Sequence, residues 1–168
     1  MTLEELNSLT SMAAEEEFLK CCGSGQWTKQ MSDARPFSNS DELSAKGDEI
    51  WWNLDEEDWL EAFRAHPKIG EKKAAAAQSA EAAAWSAQEQ SESERAAAET
   101  KAALAEGNRE YELRFGFIFI ICATGRSAEE MLAALNGRLN NDRETEIRAA
   151  AEEQRKITQL RLQKLLEN

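Results

Sequence analysis

The sequence predicts an all-α fold, one compact domain of several packed helices. Among 168 residues there are only two prolines and eight glycines, and the chain is rich in Ala, Glu, Leu, Gln and Arg, which enter helices at little cost. Apolar positions recur every three or four residues, while strand-like alternation is nearly absent. The length suits one domain, spanning 1–168, around one core.

From the N-terminus, Leu3, Leu6, Leu9 and Met12 fall on one side of an opening helix, and Phe18 and Leu19 continue the pattern to Cys22 and Gly23. Gly23 and Gly25 mark a break. Pro36 restricts Arg35, making Arg35-Pro36-Phe37 a connector, and Ser40-Asp41-Glu42 reads as a helix start. Trp51, Trp52, Leu54, Trp59, Leu60 and Phe63 supply an aromatic core that needs no cofactor to explain it. Residues 72–84 reduce to alanine, glutamine and a few charges, which suits a mobile loop or an exposed helix. Ser86-Ala-Gln-Glu89 matches a capping box, so a long helix is expected from there toward Leu113. Gly107 interrupts it at a cost of about 1 kcal/mol relative to Ala.

Phe115-Gly-Phe-Ile-Phe-Ile-Ile-Cys-Ala123 is the most apolar run, and alone it suggests a buried strand. No second run exists to pair with it, so a short helix or an extended segment is expected, its amides meeting something else, such as a ligand. Ser127-Ala-Glu-Glu130 is a further capping box, followed by Met131, Leu132, Leu135 and Leu139 at helical spacing. A last helix should start near Asn141-Asp142 and run to about Leu166, with Ile147, Ala150, Ile157 and Leu165 on one face. Arg161 shares that face. An arginine in an apolar stripe must be paired, reach out to water, or meet an anion. An internal carboxylate and a bound ligand are both open, and the bidentate fork suits a carboxylate or a ureido oxygen.

A net charge of −12 and a pI near 4.7 argue against nucleic acid or an anionic membrane as partner. No apolar run approaches the roughly 18–20 residues of a membrane span, and Met1-Thr-Leu-Glu-Glu has no basic region leading an apolar core. The C-terminal Leu165-Leu-Glu-Asn168 is unlike a peroxisomal address, so a cytoplasmic setting is expected. Cys21, Cys22 and Cys122 contain no CxxC, and with one histidine in the chain no zinc site is expected; free thiols are. That histidine stands in His66-Pro67-Lys68-Ile69-Gly70, where Pro67 biases it out of helical geometry and Gly70 permits a turn. Read alone, it could equally be a surface or capping residue.

Together these pieces form an ordered pattern. His66-Pro-Lys-Ile-Gly70, Ser86-Ala-Gln-Glu89-Gln90, Arg114-Phe-Gly-Phe-Ile-Phe-Ile-Ile-Cys-Ala123, Arg138-Leu-Asn140 with Glu146, and Ile157-Thr-Gln-Leu-Arg161-Leu162 resemble the signature of the 2-oxo-4-hydroxy-4-carboxy-5-ureidoimidazoline (OHCU) decarboxylases. Cys22-Gly23, Trp27, Arg35-Pro36-Phe37 and Trp51 add to the likeness, which covers nearly the whole chain. The resemblance implies an all-helical homodimer that releases carbon dioxide from OHCU to leave (S)-allantoin in urate breakdown, without metal or organic cofactor. It implies His66 and Glu89 as the catalytic pair. Pro67, Ser86 and Gln90 would border the substrate, Phe119, Ile120, Ile121, Cys122 and Ala123 would line the pocket with backbone groups, and Arg161 would clamp an oxygen. The interval from Gly70 to Ser86 is longer than is typical of that family.

Two other readings fit parts of the sequence. A non-catalytic acidic helical interaction module accounts for the charge and for a capping role of Glu89, but for neither Arg161 nor the histidine before proline. A related lyase or hydrolase acting on another ureido compound would share the same residues.

Overall fold

The computed structural model describes residues 1–68, 80–89 and 98–167. Over those residues the chain forms nine α-helices and no strand: α1 (Leu3–Ser8), α2 (Ser11–Cys21), α3 (Gly25–Asp33), α4 (Ser40–Asn53), α5 (Glu56–Arg64), α6 (Ala80–Glu89), α7 (Ala98–Phe115), α8 (Ala128–Arg138) and α9 (Arg143–Glu167). None is long and apolar enough to cross a membrane.

The opening segment is two helices, where one was expected. Leu9 is extended, and the Thr10 hydroxyl accepts from the Ala13 amide to cap α2. The carbonyls freed at the end of α1 are taken by Arg35, whose Nη1 donates to Leu6 O and Leu9 O at 2.8 Å each, which removes the cost of ending a helix there. The break turns Met12 outward, 74 % exposed, while Leu6 is fully buried.

Three buried tryptophans tie the middle of the fold together through their indole N–H groups. Trp27 on α3 donates to Gly47 O of α4, Trp59 on α5 donates to Trp51 O of α4, and Trp51 donates to Ala151 O of α9, each at 3.0 Å. Each ring thus buries its apolar body and still satisfies its one polar atom. Trp52, placed in the core by its sequence, is instead 41 % exposed and packs edge-on against Trp59.

The expected helix start at Ser86 is overturned. Ser86 and Glu89 lie in the last turn of α6, which begins at Ala80. Ala80-Glu-Ala-Ala-Ala-Trp85 is itself strongly helix-forming, and Ala82 is buried, so the helix starts before the capping signal. The second part of the expected long helix exists as α7. Gly107 in it has a packing purpose, because a Cβ there would come within 2.5 Å of Leu135 Cδ2 on α8. Its absence lets the two helices close on each other. The capping box at Ser127 and the start of α9 after Asp142 match the sequence reading.

Between α7 and α8 the chain turns at Gly116, whose φ of +82° favours glycine, and runs irregularly extended through Ala123. Residues 119–123 are all buried. Within them the Ile120 carbonyl accepts from Arg138 Nη1 at 2.6 Å, so a side chain of α8 meets at least this group of the run. Arg138 is held in turn by fully buried Glu146, whose Oε1 also takes the Tyr111 hydroxyl at 2.5 Å and whose Oε2 takes Asn141 Nδ2 at 3.0 Å.

Gly23, between α2 and α3, sets the approach of α5. A Cβ at Gly23 would overlap the Cβ of Ala65, with the Ala62 backbone at 3.7 Å behind it. Neither is a flexible chain end that can swing away, so Gly23→Ala should cost about 1–3 kcal/mol, read as a Tm lowered by roughly 2–4 °C per kcal/mol. An unchanged Tm would show that the end of α5 can shift.

Candidate active site

α5 ends at Arg64, and the His66 amide makes one last turn-like bond to Phe63 O at 3.1 Å. Pro67 forbids continuation, since it restricts the residue before it to extended backbone. His66 is thereby presented just past a helix end, as its sequence context suggests. The residue as a whole is half-buried. Its Nε2 lies 2.6 Å from Gln154 Oε1 on α9. Loss of surrounding water, then the nearby Arg161 guanidinium, hold the imidazole well below its usual basicity, at about 3, against the opposing effect of the Gln154 bond. The ring is neutral at physiological pH.

Two turns further along α9, Arg161 meets the end of α6. Its Nε donates to Glu89 Oε1 at 3.1 Å and its Nη2 to Glu89 Oε2 at 3.0 Å, a bidentate pair, and Nη2 also reaches Ser86 Oγ at 3.0 Å. Nη1 makes a longer bond of 3.4 Å to Lys20 O at the end of α2. The side chains of Arg161 and Glu89 are 4 % and 9 % exposed. Of the two partners the sequence left open for Arg161, the internal carboxylate is the one seen, and it is Glu89 itself. Ser86 and Glu89 share a face because they are three residues apart in a helix. They sit at a C-terminal helix end, so the capping role expected of them at a helix start is not what shapes this site.

Cys122 joins the same neighbourhood. Its thiol is raised by burial, then lowered by a bond from the Thr124 backbone, and raised further by the charges of Glu153 and Glu89. Glu153 is paired with Arg126 at 3.3 Å and Lys156 at 2.6 Å, two cations that keep a foot in solvent. Phe117, at the start of the extended run, packs on Phe63 of α5 with centroids 5.6 Å apart. His66, Ser86, Glu89 and Arg161 are therefore linked through α9, with Cys122 within the field of Glu153 and Glu89 and Pro67 half-buried beside His66. Gln90 lies outside the described residues, as do Ile69 and Gly70.

Sequence reasoning missed Gln154 and Thr158. Both are buried, and Gln154 Nε2 donates to Thr158 Oγ1 at 3.1 Å. The signal was present: 150, 154, 158, 161 and 165 advance by four, four, three and four, so both belong to the stripe already drawn through Ala150, Arg161 and Leu165. Chemically the arrangement combines a neutral imidazole able to exchange a proton, a guanidinium fork, a carboxylate and a hydroxyl, beside a buried apolar strip.

Removing Arg161 would leave the Glu89 carboxylate buried without its guanidinium. Arg161→Met should destabilise by about 3–5 kcal/mol in urea unfolding, and adding Glu89→Gln should recover part of that loss; additive effects would mean that the pair is not coupled. The histidine gives a pH dependence. Its folded pKa of about 3 lies below the ordinary 6.5 of the unfolded chain, so between those values the unfolded state binds more protons. The stabilisation is full above pH 6.5 and is lost as pH falls toward 3. Tm should therefore drop more for wild type than for His66→Asn between pH 7 and pH 4.5, the other carboxylates being common to both.

A family model described as OHCU decarboxylase matches residues 7–163. The chain is 41 % identical over 152 residues to the uric acid degradation bifunctional protein TTL of Arabidopsis thaliana, covering 90 % of this chain and 47 % of that protein. It thus spans about half the length of that relative. It is 31 % identical over 163 residues to the 2-oxo-4-hydroxy-4-carboxy-5-ureidoimidazoline decarboxylase of Haloferax volcanii, covering 96 % of this chain and 94 % of that one. Among solved structures, one of OHCU decarboxylase in the presence of (S)-allantoin superposes with a TM-score of 0.77 at 40 % identity, over 91 % of this chain and 99 % of the other. One of (S)-allantoin synthase, at 19 % identity and a TM-score of 0.74, shares the fold over 99 % of this chain and 54 % of the other. With the family model matching most of its length, the chain belongs to the OHCU decarboxylase family.

Proposed function

We propose that this chain decarboxylates OHCU to (S)-allantoin and carbon dioxide in urate degradation, without metal or organic cofactor. The observation that carries the reading is that His66, Glu89, Ser86 and Arg161, drawn from separate parts of the sequence, all meet on one face of α9. In the reaction the C–C bond to the carboxylate breaks and its electron pair flows into the conjugated imine of the substrate ring. A proton is then delivered to the adjoining ureido-bearing carbon, and the hydroxyl on the decarboxylated carbon gives up its proton to become the ring carbonyl of allantoin. Because the substrate is its own electron sink, the protein has only to orient it, exclude water and manage protons.

His66 and Glu89 take the proton-transfer roles at the hydroxyl-bearing centre, and return of the proton from one side sets the S configuration. Arg161 offers its Nη1 edge to a substrate oxygen, since Nε and Nη2 are committed to Glu89 and Ser86 while Nη1 makes only the long bond to Lys20 O among the described residues. Pro67, Ser86, Gln90 and the backbone of Phe119, Ile120, Ile121, Cys122 and Ala123 border the substrate. The chain acts as a single domain, assembled as a homodimer in the cytoplasm; sedimentation equilibrium reads the assembly.

The test is to supply freshly generated OHCU and follow (S)-allantoin by circular dichroism. His66→Asn should lower kcat by about 10²-fold or more, the range of positioned proton transfer, with its far-ultraviolet spectrum unchanged. A folded His66→Asn that matches wild type would overturn the assignment.

A further inference from the structure

We propose that Gln154 is a positioning residue that holds His66 as the Nε2–H tautomer, through a one-way chain of hydrogen bonds running on to Thr158. For catalysis the inference rests on His66 exchanging a proton with the substrate. The tautomer itself does not depend on that reading.

The direction of the chain follows from its members. A neutral imidazole has one N–H and one lone pair, and whichever nitrogen is fixed by a partner determines the other. Gln154 can present either its carbonyl or its amide to His66. The 2.6 Å separation from His66 Nε2 is at the short end for N–H···O. With the amide turned round it would bring two nitrogens unusually close. With the carbonyl facing His66, the Gln154 amide donates to Thr158 Oγ1 at 3.1 Å. The Thr158 hydroxyl thereby accepts at its oxygen and keeps its own proton for another neighbour, the Cys22 thiol being close enough for Thr158 to favour its ionisation. Cys22 is 1 % exposed. Burial pushes this thiol up to about 12. The path thus ends beside a neutral thiol.

Nothing along this path carries a charge. The charged group acting on His66 is Arg161, the neighbour on the same helix face. An acceptor that is neutral orients the ring while raising its basicity less than a carboxylate in the same place would. Gln154 therefore fixes which nitrogen bears the proton and leaves Nδ1 with the lone pair, ready to accept a proton from substrate at neutral pH.

The chain contains one histidine, so ring-¹⁵N-histidine labelling reports both imidazole nitrogens of His66 without assignment. Wild type should show protonated Nε2 and unprotonated Nδ1 at pH 7. Gln154→Leu should give a mixture of tautomers and lose at least about tenfold in kcat, with KM changed less than about threefold. Gln154→Glu keeps an acceptor on Nε2 and the shape of the residue, so Nε2 should stay protonated while Nδ1 begins to titrate at higher pH than in wild type, moving the acid limb of kcat upward. A wild type protonated on Nδ1, or a Gln154→Leu protein retaining one Nε2–H tautomer and full kcat, would overturn the proposal. If Gln154→Leu fails to fold, the wild-type and Gln154→Glu spectra decide it. A wild-type Nε2–H tautomer together with a fully active His66→Asn would refute the catalytic role of His66 alone.

Discussion

The constraint on which this structure depends is that α9 runs through the core with polar side chains on its buried face. Glu146, Gln154, Thr158 and Arg161 are each at most 7 % exposed, and a buried polar group without a partner is expensive. Thr158 is met by Gln154 on the same helix, and the other three by different parts of the chain. Glu146 takes Tyr111, Arg138 and Asn141; Gln154 takes His66; Arg161 takes Glu89, Ser86 and the Lys20 carbonyl. A purely apolar α9 would pack but would dictate none of these neighbours. The polar positions convert a non-directional contact into a fixed register. With a rise of about 1.5 Å per residue, seven residues place the His66 partner and the Glu89 partner about 10 Å apart on one rigid rod.

Much of the fold was legible because helix periodicity and side-chain capping are local. The Ser127 box, the Asp142 start and the stripe through Ala150, Ile157 and Leu165 depend only on neighbours three or four residues away, and each stands as read. The opening helix was misread for the opposite reason. What ends α1 is Arg35, nearly thirty residues along, supplying donors to the Leu6 and Leu9 carbonyls. Ser86-Ala-Gln-Glu89 carries every local mark of a cap, yet strong helix formers upstream and a distant guanidinium claim both side chains. A capping box is a competition between local and remote partners, and one sequence shows only the local side.

The site followed a similar division. Arg161 stood out because a charge in an apolar stripe demands a partner, and its partner turned out to be a residue already singled out for another reason. Gln154 and Thr158 lay on the same stripe and were passed over, since neutral polar side chains there raise no electrostatic alarm. The apolar run at 119–123 showed the converse: its lack of a pairing strand was evident from sequence, while Arg138, which meets the Ile120 carbonyl, is identifiable only in three dimensions.

The charge distribution fits the proposed chemistry better than a strongly cationic pocket would. Arg161 is matched by Glu89, His66 is neutral, and Arg126 and Lys156 stand against Glu153. These groups leave an excess of one positive charge in a chain of net charge −12, enough to favour an anionic ligand locally. Decarboxylation disperses the negative charge of the departing carboxylate. A cation bound tightly to that group would stabilise the substrate more than the transition state and raise the barrier. A guanidinium already shared with Glu89 can orient a substrate oxygen without holding the carboxylate too firmly. In the proposed arrangement the buried run at 119–123 would offer the departing group little water. The same balance explains why a neutral glutamine suits the place beside His66: a carboxylate there would favour imidazolium and remove the lone pair that proton transfer requires.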